Sequence, residues 1–336
     1  MQGRGYYNQH SELQARSAEE ADEVLKRALD AVALPAGPLT IADFGSSQGH
    51  NSMRQIALTL DRLTERTARD RDIMVVHTDL PHSDFTSLFA TLETSPDSYR
   101  RGRPHVFASA IGHSFYDRLL PAGGLTLGWS AFAIHWMSAL PVAVRDHIWP
   151  IRASSDEGKA LAAVAAEDWR RFLTHRSEEL APGGRLVLVI GAGDAGGATG
   201  LEPMMELANE ILKKLVADGK LDPNAYAAMT IPARPRSREE FTAPFDKGEV
   251  PDLLLEELVI AETPNAAMLR WRENGNATVF ASDIATFFIA AFGPSLFGDD
   301  ASLRELFASR FTDEVALAPA KIARPLVTAT LRIARR

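Results

Sequence analysis

Apolar positions along this chain alternate between short continuous runs and stripes at helical spacing. Ala21, Val24, Leu25, Ala28, Leu29 and Val32 recur every three or four residues and predict an amphipathic helix over 18–34. Leu34-Pro35-Ala36-Gly37-Pro38 stops it. Leu39-Thr40-Ile41 reads as the end of a buried strand, and Ser52 to Leu60 returns to helical spacing within a helix over 51–68. Ile73 to Thr78 is a second apolar run, closed by Asp79; a helix around Phe85–Leu92 follows. Strands are predicted at His105–Ala110, Leu125–Trp129 and Arg185–Ile190, the last after a Pro182-Gly183-Gly184 turn and a helix over 157–180. This alternation predicts an α/β fold with a mostly parallel sheet.

After residue 200 the pattern changes. Helical stretches over 203–218, 283–297 and 301–311 dominate, Ile231 to Arg236 reads as a loop, and Leu258–Ile260 and Leu326–Leu331 are strand-like runs that return to the sheet. The expected organisation is therefore an N-terminal segment and cofactor-binding core over 1–195. A mainly helical cap over 196–320 follows, with a returning core strand near 255–262, and 321–336 hold a final core strand. Residues 1–17 are polar and aromatic and predict no regular element.

Composition narrows the chemistry. There is no cysteine among 336 residues, which excludes disulfides, thiolate nucleophiles and cysteine-ligated metals. A net charge of -8 argues against a nucleic acid as the main partner. The start lacks the apolar core of a signal peptide, and no run of about 18 apolar residues suggests a membrane span, so the expectation is a cytoplasmic protein without a membrane partner. No His-x-x-x-His spacing points to a metal, and Ser114 and Ser138 lack the Gly-x-Ser-x-Gly elbow of a serine hydrolase.

Candidate chemistry centres on Asp43-x-Gly45-x-x-x-Gly49, a strand-to-helix turn with two glycines. Glycine permits a sharp turn and close contact between backbone and ligand. An acid at the end of a second strand, here Asp79, is where α/β nucleotide folds hold ribose hydroxyls. The reading is a site for an adenosine-containing cofactor, S-adenosylmethionine foremost, although the turn alone does not separate a methyl donor from a dinucleotide. Gly191-x-Gly193-x-x-Gly196 competes, since it spells the dinucleotide fingerprint after a strand. No strand ending in an acid follows it at the required distance, and we read it as a loop. Within the apolar run Trp129 to Leu140, Trp136 stands out because a buried indole N–H needs an acceptor, and a ligand carboxylate would serve.

Several separated motifs resemble the SABATH family of S-adenosylmethionine-dependent carboxyl methyltransferases, the salicylate, benzoate and theobromine type. Tyr7-x-x-x-Ser11-x-x-Gln14 resembles its N-terminal motif, with His10 in place of asparagine. Ile41 to Asn51 is similar to the family's A-D-L-G-C-S-S-G-P-N, and Asp79-Leu80-Pro81-His82-Ser83-Asp84-Phe85 to D-L-P-x-N-D-F. Ser114-Phe115-Tyr116-Asp117-Arg118-Leu119-Leu120-Pro121 resembles S-F-Y-x-R-L-F-P, and Ser130 to Pro141, with Trp136-Met137-Ser138, resembles S-S-Y-S-L-M-W-L-S.

The resemblance implies a Rossmann-like class I methyltransferase core, with a seven-stranded sheet, a helical cap and S-adenosylhomocysteine as product. It implies cofactor contacts from Ser11, Asp43, Gly45, Ser47, Asn51, Asp79, Leu80, Ser114 and Phe115. It pairs Gln14 and Trp136 as the groups that orient a substrate carboxylate. It places Tyr7, Phe132, His135, Met204, Met205, Arg234 and Phe288 around the substrate. Facing the pocket, Arg234 would pair with a second anionic group; facing solvent, it would be one of three loop arginines with Arg236 and Arg238. The implied activity is methyl-ester formation on a small aromatic or indolic acid, by a protein that is a homodimer in most relatives. Methylation of a heterocyclic nitrogen, or cofactor binding without turnover, are the alternatives.

Overall fold

A computed structural model describes residues 21–336, apart from the side chain of Asn51. Seven strands form one sheet: β1 (Leu39–Phe44), β2 (Ile73–Asp79), β3 (Val106–Gly112), β4 (Leu125–Ala131), β5 (Leu180–Gly191), β6 (Leu253–Thr263) and β7 (Leu326–Arg335). Their spatial order is β3-β2-β1-β4-β5-β7-β6. The pairs from β3 through β5 are parallel, whereas β7 runs antiparallel to both of its neighbours. The chain therefore winds outward from β1 in both directions, and the gap beyond the carboxyl ends of β1, β2 and β4 is a topological switch point, where open α/β sheets bind ligands.

Strand side chains alternate between faces, so the central strands β1, β2, β4 and β5 serve two cores. Leu39, Ile41, Ile73, Val75, Val187 and Val189 pack under α1 (Asp22–Ala31), α2 (Met53–Arg66) and α3 (Phe85–Thr94). Ala42, Phe44, Val76, Leu186, Leu188 and Ile190 pack on the other face against Trp169 and Phe172 of α4 (Ser155–Glu179). A third apolar cluster is mainly helical, with Ile148, Trp149, Ile231 and Ala233 added from loops. It joins α5 (Glu202–Ala217), α6 (Pro223–Ala228), α8 (Ala266–Asn274), α9 (Ala277–Phe297), α10 (Ala301–Leu317) and α11 (Pro319–Ile322). The remaining helix, α7 (Arg238–Asp246), lies against α4, with Phe241 between them.

Three expectations need correction. The Pro182-Gly183-Gly184 turn lies inside β5, where the ladder to β4 changes register. α7 and α8 replace what the periodicity left as irregular chain. α7 does carry a readable start signal, a capping box between Ser237 and Glu240. Finally, α9 begins at Ala277 and is long and apolar enough to cross a membrane, but 67% of that apolar window is buried inside the protein. An all-round apolar helix of this kind is a core helix when other helices cover it.

Phe288 illustrates the point. It is fully buried, with its ring centroid 5.3 Å from that of Phe307 and 5.0 Å from that of Phe311. Phe288→Ala should lower unfolding free energy by about 3–5 kcal/mol in urea titrations, with little change in ligand affinity. A substrate-lining role would reverse that balance.

Candidate active site

The turn after β1 is anchored on β2. The Gly45 and Ser46 amides both donate to the Thr78 carbonyl, at 2.8 and 3.0 Å. Gly45 has φ +79°, and a Cβ there would lie 2.2 Å from that of Ala133, so only glycine fits. Ser47 also adopts a left-handed conformation, φ 51°, which disfavours a non-glycine residue. Its N–H donates to Asp79 Oδ2 at 2.7 Å, an interaction that offsets the strain.

Asp43 lies buried beneath the turn. It accepts from Ser52 Oγ at 2.6 Å and sits 3.0 Å from His77 Nδ1, while His77 Nε2 lies 2.9 Å from the Tyr99 hydroxyl. Burial, and then the Asp43 charge, push the Tyr99 hydroxyl well above the usual tyrosine range, so it stays protonated. Asp43 and Ser47 therefore shape the turn from below and do not line the cleft in front of it.

That cleft, of about 490 Å³, is lined by Gly45, Asp79, Leu80, Ser114 and Phe115 among others. Asp79 accepts the Leu80 amide at 2.7 Å and the Ser83 hydroxyl at 2.5 Å on Oδ1, and the Ser47 amide on Oδ2. A carboxylate oxygen with one donor keeps a free lone pair. Asp84 caps α3 by accepting the Ser87 amide at 2.9 Å, which explains the second acid of that motif as structural.

Phe132 and Trp136 stand between this cleft and a smaller chamber of about 50 Å³ and line both. Phe132 has φ 55°, a strain of order 1–3 kcal/mol that tends to occur at functional positions. Trp136 is held through its backbone. Its carbonyl accepts from Tyr116 Oη at 2.6 Å, and the flanking residues pair with 232–234. Its indole N–H finds no acceptor among the described residues.

The chamber's other walls include His135, Trp149, Phe287 and Phe292. Burial, reinforced by the positive charge of Arg236, pushes the His135 pKa down to about 3. Its Nδ1 faces the Gly191 amide at a long 3.4 Å. The ring is thus neutral at ordinary pH and presents an Nε2–H.

Other candidates lie elsewhere. Met204, Met205 and Phe288 belong to the helical core and line neither cavity. Arg234 does not line the chamber; it pairs with Glu240 at 2.7 Å in a groove beside α4 and α7. Arg236, grouped with the surface arginines, is one of the largest fully buried side chains; it donates to the carbonyls of Ile134 at 2.7 Å and Ala165 at 2.9 Å. Gly191-x-Gly193-x-x-Gly196 forms a loop closed on itself, with Asp194 Oδ1 accepting from Gly196 and Ala198. Tyr7, Ser11, Gln14 and the Asn51 side chain lie outside the described residues. Nothing in the unbroken apolar helix α9 marks Phe287 and Phe292 as the residues that meet a cavity, whereas Trp149, a tryptophan in a loop, carries a local signal.

Three comparisons with known proteins agree. Residues 2–315 match the family described as SAM dependent carboxyl methyltransferase. Methyltransferase LUC1 from Fusarium sp is 28% identical over 71% of this chain and 64% of its own length. Gibberellic acid methyltransferase 2 from Arabidopsis thaliana is 27% identical over 72% of this chain and 68% of its own. The chain thus spans about two thirds of such relatives. The solved structure of loganic acid methyltransferase with SAH superposes with a TM-score of 0.83 at 19% identity, covering 100% of this chain and 98% of that one. That likeness shows the fold.

Two outcomes follow from the geometry. Gly45→Ala should lose at least about tenfold in S-adenosylhomocysteine affinity by titration calorimetry, with about 1–3 kcal/mol of stability, because the new Cβ displaces Ala133. Unchanged affinity would uncouple the turn from the Ala133 segment. The depressed His135 pKa also links stability to pH. The unfolded chain takes up a proton as pH falls below about 6.5 that the folded protein refuses until about 3, so this contribution is whole above 6.5 and lost on acidification. His135→Met should shrink the stability difference between pH 7 and pH 5 by on the order of 1–2 kcal/mol in paired melts.

Proposed function

This chain belongs to the SAM-dependent carboxyl methyltransferase family, and we propose that it converts the carboxylate of a compact, apolar, aromatic or indolic acid to its methyl ester. The observation that carries this reading is the indole N–H of Trp136, without an acceptor among the described residues, at the junction of the cleft and an aromatic-walled chamber.

The cleft's donor set suits S-adenosylmethionine. Asp79 keeps an open lone pair for ribose hydroxyls, Phe115 and Leu80 offer apolar surface to a purine, and Ser114 adds a hydroxyl. Gly45 leaves the backbone bare where the methionine portion would approach. Ser11 and Asn51 complete this proposed set. The bound cofactor supplies an electrophilic sulfonium methyl.

The remaining chemistry falls to position. A carboxylic acid is ionised at pH 7, so the acceptor needs no base. His135 fits that, since a group with a pKa near 3 makes a poor proton acceptor at neutral pH, and it is the one titratable side chain among the described residues that line the chamber. Trp136, with Gln14, would donate to one carboxylate oxygen and aim the other along the line of displacement. Such placement supplies several kcal/mol. Phe132, Trp149, Phe287 and Phe292 exclude water around the acceptor body. Neutral donors orient the carboxylate without the strong hold of a cation, which would blunt its nucleophilicity. Esterification removes the charge on which these hydrogen bonds depend, and the product leaves more easily.

A second reading within the same reaction is a bulkier terpenoid acid, suggested by the gibberellic and loganic acid names among the relatives. The chamber's small volume favours the compact acid. Incubation with methyl-labelled cofactor and a panel of benzoic, indolic, terpenoid and xanthine acceptors tests both; label confined to xanthines would overturn the ester reading. With the accepted acid, Trp136→Phe should lower kcat/KM for the acid by about 10- to 100-fold and leave cofactor affinity within threefold. Asp79→Ala should do the reverse, weakening cofactor binding foremost.

A further inference from the structure

The segment 113–121 leaves β3 and supplies two walls of the cleft, Ser114 and Phe115, yet no helix or strand holds its backbone. Its carbonyls and amides converge instead on one ion pair at the end of α4. Arg176 donates from Nη1 to the Phe115 carbonyl at 2.7 Å and from Nη2 to the Asp117 carbonyl at 2.8 Å. Glu179 Oε1 accepts the Leu120 amide at 3.0 Å and, more closely, the Leu119 amide. The two side chains meet through Nη2 and Oε1 at 2.9 Å, and Nε lies 2.8 Å from Oε2 without good alignment.

Both residues are fully buried. The guanidinium lies 4.5 Å from the ring centre of Phe44, the last residue of β1, and 5.1 Å from that of Phe172. The carbon frame of the pair thus packs into the apolar core behind the cofactor turn, while its polar atoms face one loop. Neither side chain lines the cleft.

A buried ion pair is a poor way to gain stability. Desolvation of both charges consumes most of their attraction, and apolar replacements of similar size are often as stable or more so. What an apolar pair does not do is satisfy four backbone groups of a loop that has no ladder of its own. The other ion pairs of this loop, Asp117 with Arg171 and with His113 and Arg118 with Glu178, are partly exposed and hold its outer side.

We propose that Arg176 and Glu179 are positioning residues for the cofactor wall. By fixing the carbonyls and amides of 115–120 they set where Ser114 and Phe115 stand, so cofactor affinity depends on two side chains that never touch the cofactor. This rests on the reading of the cleft as the cofactor's place.

Titration calorimetry with S-adenosylhomocysteine, alongside urea unfolding, tests it. Glu179→Gln keeps the acceptor oxygen and should bind within threefold of wild type. Arg176→Lys reaches one carbonyl at most and should lose about three- to tenfold. The double variant Arg176→Met/Glu179→Leu should lower the urea midpoint no more than Phe288→Ala does yet bind at least tenfold more weakly. Phe288→Ala, less stable but remote from the loop, should keep its affinity. Wild-type affinity in the double variant overturns the proposal, as does an equal loss in Phe288→Ala. Should the double variant not fold, Arg176→Lys decides, and unchanged affinity there overturns it. A wild-type protein that does not bind S-adenosylhomocysteine would instead overturn the reading of the cleft.

Discussion

The hydrogen bond from the Ser47 amide to Asp79 joins the two strand ends on which the site is built. It crosses the switch point from the turn after β1 to the last residue of β2. It holds Ser47 in a conformation that a non-glycine residue otherwise avoids. It also orients the Asp79 carboxylate, whose other oxygen is taken by Leu80 and Ser83, toward the cleft. The Gly45 approach to Ala133 then brings the segment after β4 against the same turn. Three strand ends are thereby fastened within one small region, and the cleft is the space they leave.

Around that region the protein places charge where it acts on backbone. Asp43, Arg176, Glu179 and Arg236 are all buried, and three of them spend their hydrogen bonds on main-chain groups of the loops that carry Phe115, Ile134 and Trp136. Tyr116 joins the two sides, since its hydroxyl donates to the carbonyls of Ile134 and Trp136. Burial raises that hydroxyl's pKa to about 12, so it remains a donor across the physiological range. The chamber itself is left nearly free of charge, with a neutral His135 and aromatic walls.

The strand and helix pattern of the core was readable because each strand end carries its own punctuation. Gly45 and Gly49 mark the turn, Asp79 closes β2, and Asp84 caps α3, all by local backbone requirements. Arg234 and Arg236 show the opposite case. They are two residues apart in one loop, and one pairs with Glu240 at a groove while the other is sealed against Trp169. Nothing local distinguishes them; the packing of α4 against α7 does. The helical layer was equally opaque. α9 is apolar on every side, so the division of Phe287 and Phe292 to the chamber and Phe288 to the core depends on which neighbours arrive.

The order of residue types alone specifies the α/β core, the glycine turn after β1 with an acid at the end of β2, and the family to which these motifs belong. Each depends on short-range constraints, such as a positive φ, an acid at a strand end or alternation along a strand. Which side chains line the chamber and which hold the loops in place is settled by the packing of the layers. Those choices are made between residues about 60 to 100 positions apart, such as Arg176 with Phe115 and Arg236 with Ile134. Side-chain burial there is a property of the assembled layers, and no local pattern encodes it.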